Sequence, residues 1–208
     1  MNWSTFREIF RDETYVSTDW IHTAVPDFDK RRLYEWKKKW YLIQLKRKRY
    51  MFADVQMHHT LQLHLASVIY KPSYISLFTA LARYQLIPET VITTQCISSR
   101  KTAEFHTEYG SWSYRSCQPH YLWWYDVIHS RDGVLVMADI HKTLLDLLTY
   151  YPEYDDVDDF ASLRLDYTLL TELMDIHTLR DYAQISSSSS VQHRVQRFCD
   201  RINLQWDM

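Results

Sequence analysis

The sequence predicts an α+β fold in two parts: a small helical module with a β-hairpin over residues 1–55, and a mixed α/β domain over residues 56–208. Three observations predict it. After Trp40 the helical spacing of apolar residues gives way to strand-like runs, the change of period that separates amphipathic helices from strands. Cations crowd into Lys30–Arg49, which holds ten of the chain's 24 Lys and Arg residues and a single acid, Glu35. After Pro88, short strand-like runs lead into leucine-rich helices, the order of a second, mixed layer structure.

The elements of the first part follow in order. Trp3, Phe6, Ile9 and Phe10 recur at helical spacing and predict a first helix. Ser17-Thr18 can cap a second helix that ends near Val25-Pro26, with Trp20, Ile21 and Ala24 facing the core. Asp29 is placed to cap a third, since its carboxylate can accept free amide hydrogens of the first turn. Leu33, Trp36 and Trp40 form the apolar stripe of that helix at i, i+3 and i+7. Tyr41–Leu45 and Tyr50–Phe52 then read as two short strands, with Lys46, Arg47, Lys48 and Arg49 at the tip between them.

Helix, capped helix, proline turn, basic helix and basic hairpin is the order of a winged helix-turn-helix. Its third helix would enter a DNA major groove and its hairpin would lie along phosphates. The ten cations are Lys30, Arg31, Arg32, Lys37, Lys38, Lys39, Lys46, Arg47, Lys48 and Arg49. They give the stretch a net charge of +9 in a chain of net −2, so the remainder sums to −11. Such polarity points to a local electrostatic site. The expected DNA-binding set is Lys30, Arg31, Tyr34, Lys37 and Lys38 on the helix with Lys46, Arg47, Lys48 and Arg49 on the hairpin. Within it, Arg31, Tyr34 and Lys38 are placed for base edges and the hairpin cations for phosphates.

Further along, His58, His59 and His64 read as polar positions of a connecting segment. Ser73 is expected to cap a helix that buries Ile75, Phe78, Leu81 and Ala82 and leaves at Pro88. Strand-like pieces follow at Val91–Ile97, Glu104–Thr107, Trp112–Arg115 and Val134–Met137, with Gly110 in a turn. Asp139–Tyr151 is a helix with Leu144, Leu145, Leu147 and Leu148 inward, and residues 162–184 read as one longer helix. Ser186–Ser190 is a five-serine spacer, flexible by composition. A last helix aligns Val191, Val195, Phe198 and Ile202 on one face.

Several chemistries are excluded or disfavoured by composition. Gly110 and Gly133 are the only glycines, so no glycine-rich phosphate loop can be written. Cys96, Cys117 and Cys199 are odd in number and widely spaced, which predicts reduced thiols in a cytoplasm rather than a disulfide or zinc framework. With 46% hydrophobic and 15% aromatic residues the chain can build a core. No segment reaches the length of a membrane span, and the first ten residues lack a signal-peptide core. No metal, cofactor or membrane partner is expected.

Four motifs in order resemble the AbiEi family of bacterial antitoxins and transcriptional regulators. They are LYEWKKKWYLIQLKRKRYMF, KPSYISLFTALARYQLIPE, the Gly110–Arg115 strand and VLVMADIHKTLLDLL, and the resemblance runs to about Tyr151. It implies a winged-helix DNA binder with an α/β carboxyl-terminal antitoxin domain. Members typically repress their own toxin–antitoxin operon and counter a nucleotidyltransferase-like toxin in phage defence. The family tends to carry glycine before the first hairpin strand, at the hairpin tip and before LIPE, where this chain has Trp40, Lys48 and Gln85.

Enzyme readings find less support. Lys142 and Asp146 lie one helical turn apart, and with Asp139 and His141 they suggest a nuclease-like set, but no second acidic strand position completes it. Cys117 and His120 lack an orienting third group. The expectation is a non-enzymatic, DNA-binding antitoxin and autorepressor whose partners are its own promoter and the toxin. The alternative is a protein-binding adaptor or a stand-alone regulator. Residues 152–181 hold nine acids against Arg164 and Arg180, a face that would repel DNA and could receive a basic partner or simply be solvated.

Overall fold

A computed structural model of the chain describes residues 1–130, 132–185 and 188–206. The fold is α+β, with two separate sheets and helices between and around them.

The first part contains α1 (Trp3–Ile9), β1 (Tyr15–Ser17), α2 (Thr18–Ala24), α3 (Arg31–Lys38), β2 (Leu42–Lys46) and β3 (Arg49–Phe52). Its three strands form an antiparallel sheet in the order β1-β3-β2. The Ser17 hydroxyl accepts the Trp20 amide at 3.1 Å and starts α2 as the sequence predicts. Phe6, Phe10, Ile21, Leu33, Trp36, Leu42 and Phe52 fill one small core. Ile9 and Ala24, each the last residue of its helix, are exposed instead of buried. Trp40 is also outside: α3 stops at Lys38, so the stripe ends at Trp36 and Trp40 is left 69% exposed.

The second part begins with α4 (His59–Ile69), β4 (Ser73–Ile75), α5 (Leu77–Arg83), β5 (Thr93–Ser98), β6 (Ala103–Thr107) and β7 (Gly110–Ser116). A 3-10 turn at Pro119–Tyr121 leads to β8 (Tyr125–Ser130), β9 (Gly133–Ala138) and α6 (Ile140–Tyr150). Then come α7 (Val157–Ser162), α8 (Tyr167–Leu173), α9 (Ile176–Ile185) and α10 (Ser189–Trp206). The sheet runs β6-β7-β5-β4-β9-β8, parallel between β5 and β7 and between β4 and β9 and antiparallel elsewhere. Strand alternation gives it two packed faces. Ile75, Cys96 and Trp112 join the core that holds α4, while Tyr74 and Ile97 join a cluster with Tyr150 and Tyr151 at the end of α6.

Several expectations are corrected here. The segment around His64 is a helix, not a connection. It shows no amphipathic period because α4 is buried on nearly every side: Leu61, Leu63, His64, Leu65, Ala66, Ser67, Val68 and Ile69 are all buried. Ser73–Ile75 is a central strand rather than the start of a helix, and Ser76 precedes α5. Residues 162–184 break into shorter helices, because Asp166 and Asp175 each accept amides of a new first turn. Of the expected serine spacer, Ser189 and Ser190 open α10, and Ser186 and Ser187 lie outside the described residues. Val191, Val195, Phe198 and Ile202 of α10 pack with Leu144, Leu148, Phe160 and Leu179.

Two features tie the parts together. Ile43, Leu45 and Met51 of the hairpin share one core with Leu61, Leu65, Ala66 and Trp112. Tyr15 of β1 lies over the ring of His64, 5.8 Å between centroids. Trp40, Lys48 and Gln85 adopt φ of 57°, 68° and 62°. These are left-handed values that favour glycine, at the three positions where the resembled family tends to have it.

Candidate nucleic-acid interface

The candidate surface is built on α3. The residue in its N-cap position is Lys30, one later than expected, yet Asp29 still does capping work: its Oδ1 accepts the Arg31 amide at 3.0 Å. Burial of Leu33 and Trp36 leaves Lys30, Arg31, Arg32, Tyr34, Lys37, Lys38 and Lys39 exposed. Arg31 is held by Asp29 at 3.1 Å and Arg32 by Glu35 at 2.9 Å. Lys37 donates to Gln44 Oε1 on β2 at 3.0 Å, which fixes the hairpin against the helix. Lys38 Nζ sits 4.7 Å from the Tyr34 ring centre, so the aromatic and the cation present a joint surface. Lys30 and Lys39 make no ion pair or hydrogen bond through their side chains among the described residues.

The hairpin cations do not act as one tip. The turn proper is Arg47-Lys48, and the Lys48 carbonyl accepts the Thr18 amide at 3.0 Å, tying the turn to the start of α2. Lys48 Nζ lies 3.9 Å from Asp19, and Arg47 is exposed. Lys46 turns the other way, with Nζ 4.1 Å from the centre of Tyr70 and 4.9 Å from that of Phe105. Burial lowers the affinity of Lys46 for its proton, and the charges of Arg100 and Arg49 lower it further. Arg49 is half-buried at the same joint, where its charge acts on Tyr15 and Tyr114.

Sequence reasoning missed the cation that the second part brings to this joint. Arg100 is exposed there, its guanidinium carbon 4.8 Å from the Tyr70 ring centre and its Nη1 donating to the Lys71 carbonyl at 3.3 Å. Arg100-Lys101 is a basic pair in the β5–β6 turn, but its neighbourhood to Lys46 depends on how the two sheets pack.

Other candidate groups have structural places. Lys142 and Asp146 are wholly buried, paired with each other, and Ser76 Oγ donates to Asp146 Oδ2 at 2.7 Å. Lys142 Nζ also lies 3.5 Å from the Tyr121 ring centre. Burial pushes the Lys142 ammonium down and the Asp146 carboxyl up, and their mutual attraction opposes both. Burial raises the Cys117 thiol to about 11, the wrong direction for a nucleophile. His22, His58 and His59 are exposed. His64 is buried, and its Nδ1 donates to the Val134 carbonyl at 2.8 Å. Among the described residues no three His, Cys, Asp or Glu side chains are grouped to hold a metal ion, and no helix is long and apolar enough to cross a membrane.

The acidic segment is largely committed to local structure. Asp156 and Asp159 form the capping box of α7, Asp166 caps α8, and Asp175 accepts the Thr178 amide in the first turn of α9. Asp155 pairs with Arg194 and Arg197. No model of a known protein family matches the chain, and no curated protein matches it in sequence.

Proposed function

We propose that residues 1–55 are a winged helix-turn-helix that binds duplex DNA, with α3 in the major groove and the Arg47-Lys48 turn on the phosphates. The observation that carries this reading is the exposed face of α3: six cations and Tyr34 on and beside a helix of eight residues, with Glu35 its single acid. With its side chains such a helix is about 10–12 Å across and fits a groove about 12 Å wide. The strand order β1-β3-β2 and the left-handed Trp40 and Lys48 support the same reading.

On this reading the chain is a cytoplasmic, non-enzymatic antitoxin and autorepressor of the AbiEi type, with its own promoter and a nucleotidyltransferase-like toxin as partners. The second part carries the antitoxin role, because a DNA-binding module needs no further domain with its own leucine core. Fluorescence anisotropy with the duplex upstream of its gene tests DNA binding. Affinity is expected to fall by orders of magnitude between about 50 and 200 mM salt, and salt-independent binding refutes the reading. The antitoxin role is tested by the full chain carrying Lys37→Ala and Lys38→Ala, co-expressed with the toxin encoded beside it. Growth rescue without promoter repression supports the division of labour; loss of rescue together with repression refutes it.

A further inference from the structure

We propose that the groove on the polar face of β5, β7 and β6 binds a small zwitterion, a free amino acid or short peptide, with its carboxylate at Arg115 and its ammonium at Glu104. This inference goes beyond the DNA-binding reading and does not depend on it.

Strand alternation builds the groove. Cys96, Trp112 and Tyr114 turn to the core that holds α4, so Thr93, Gln95, Ser113, Arg115, Glu104 and His106 fall on the opposite face. Ser113 stands between Gln95 of β5 and Glu104 of β6 in the register of the three strands. Tyr150, the last residue of α6, walls the groove, whose volume is about 650 Å³. That volume lies within the roughly 300–1,000 Å³ of small-molecule sites, and polar walls select a polar guest.

One pole is Arg115. Its Nη1 donates to the Tyr150 carbonyl at 2.9 Å, and its guanidinium carbon lies 4.2 Å from the Tyr151 ring centre. Both tyrosines are fixed in turn: the Tyr151 hydroxyl accepts Gln95 Nε2 at 3.3 Å, and the Tyr150 hydroxyl donates to the Ser116 carbonyl at 2.8 Å. The guanidinium is therefore oriented but not neutralised. Arg7, Arg180 and Arg194, half-buried or buried, have carboxylates at 2.9, 3.6 and 3.1 Å, whereas Arg115 has no ion pair among the described residues. With Nη1 occupied, its Nε–Nη2 edge is left to take a carboxylate through two parallel hydrogen bonds.

The other pole is Glu104. His106 Nε2 lies 3.3 Å from Glu104 Oε2 and its Nδ1 3.1 Å from Ser111 Oγ, so the ring steadies the carboxylate from the side. No Lys or Arg pairs with Glu104 among the described residues. Glu104 is the diagonal neighbour of Arg115 across the β6–β7 pair, which sets the two positions roughly 7–8 Å apart. Opposite charges on one face, each tethered elsewhere and not to the other, leave a site of near-zero net charge with two separate poles. A nucleotide or nucleic-acid backbone would meet Glu104 as a like charge, which disfavours it. A zwitterion matches both poles.

The test titrates the full chain by NMR with the free amino acids, then with di- and tripeptides. At least one is expected to bind with a Kd below about 1 mM, and the set that binds separates the two sources. N-acetylation or C-amidation of that ligand should each weaken it about tenfold, the loss of one charge-assisted contact. Glu104→Gln, at an exposed position, should weaken the unmodified ligand by a similar factor and leave its N-acetylated form unchanged. Arg115→Lys should behave likewise toward the C-amidated form, with far-UV circular dichroism checking that both variants keep the fold. Failure of every probe to bind, or tighter binding of nucleoside monophosphates, overturns the site. Equal effects of Glu104→Gln on the free and N-acetylated ligand overturn it as well, because the ammonium then does not meet Glu104.

Discussion

Replacing Lys142 by Met keeps the stem and deletes the charge of a side chain with no exposed surface. Asp146, also without exposed surface, then keeps only the Ser76 hydroxyl at 2.7 Å as donor. Removing one partner of a buried pair costs about 3–5 kcal/mol, because the charge left behind is uncompensated. The ammonium also sits 3.5 Å from the Tyr121 ring centre, and deleting that attraction adds up to about 2 kcal/mol in a desolvated site. Urea unfolding followed by tryptophan fluorescence and circular dichroism measures the loss. The sign of its pH dependence is a second readout. Burial raises the Asp146 carboxyl above its unfolded value. A carboxyl raised in the folded state contributes relative stability below the unfolded pKa of about 3.9 and loses it as pH rises. The deficit of Lys142→Met is thus expected to grow from about pH 4 upward. A double variant, Lys142→Met with Asp146→Leu, should recover much of the loss, since well-packed apolar replacement of a buried pair is often neutral. A single-variant loss below about 1 kcal/mol, or one independent of pH, would refute the claim that this pair anchors α6 to the strand-to-helix turn at Ser76.

Three further outcomes follow from the geometry. Arg47→Ala should weaken promoter and random duplexes about equally, whereas Arg31→Ala should reduce the ratio between them, as titrations on both duplexes will show; the reverse pattern moves base reading to the hairpin. His64 is lowered by burial, so the unfolded chain takes up a proton first as pH drops below about 6.5 and stability should decline there; His64→Gln should flatten that part of a stability–pH curve. Gln85 is exposed at φ 62°, and Gln85→Gly should raise stability by about 1 kcal/mol through relief of the left-handed penalty; a decrease of similar size in thermal unfolding would contradict the strain.

The organisation of the first part was readable because its signals are local. A capping Ser17, an apolar pair at Leu33 and Trp36, and strand-like runs on either side of Arg47-Lys48 depend on residues a few positions apart. Helix α6 was readable although every residue from Lys142 to Leu148 is buried, because the polar Lys142, Thr143 and Asp146 interrupt its leucines and keep a helical period. Helix α4 was not, because burial on all sides erases the period that identifies a helix. Strand β4 was hidden by its length of three residues and by the serine that begins it. Trp40 kept the spacing of the stripe but fell past the helix end, where a left-handed turn throws it outward.

For the candidate site, the order of residues alone dictates which positions are cationic and that α3 turns most of them to solvent. Charge density and a 3.6-residue period are properties of the chain, and both survive folding. Long-range packing, by contrast, draws Lys46 and Arg49 away from the hairpin tip and brings Arg100 to meet Lys46 at Tyr70. The cause is the shared core of Ile43, Leu45 and Met51 with α4 and β7. Burying those side chains fixes the hairpin against the second sheet, and residues some 50 positions apart in sequence become one charged surface.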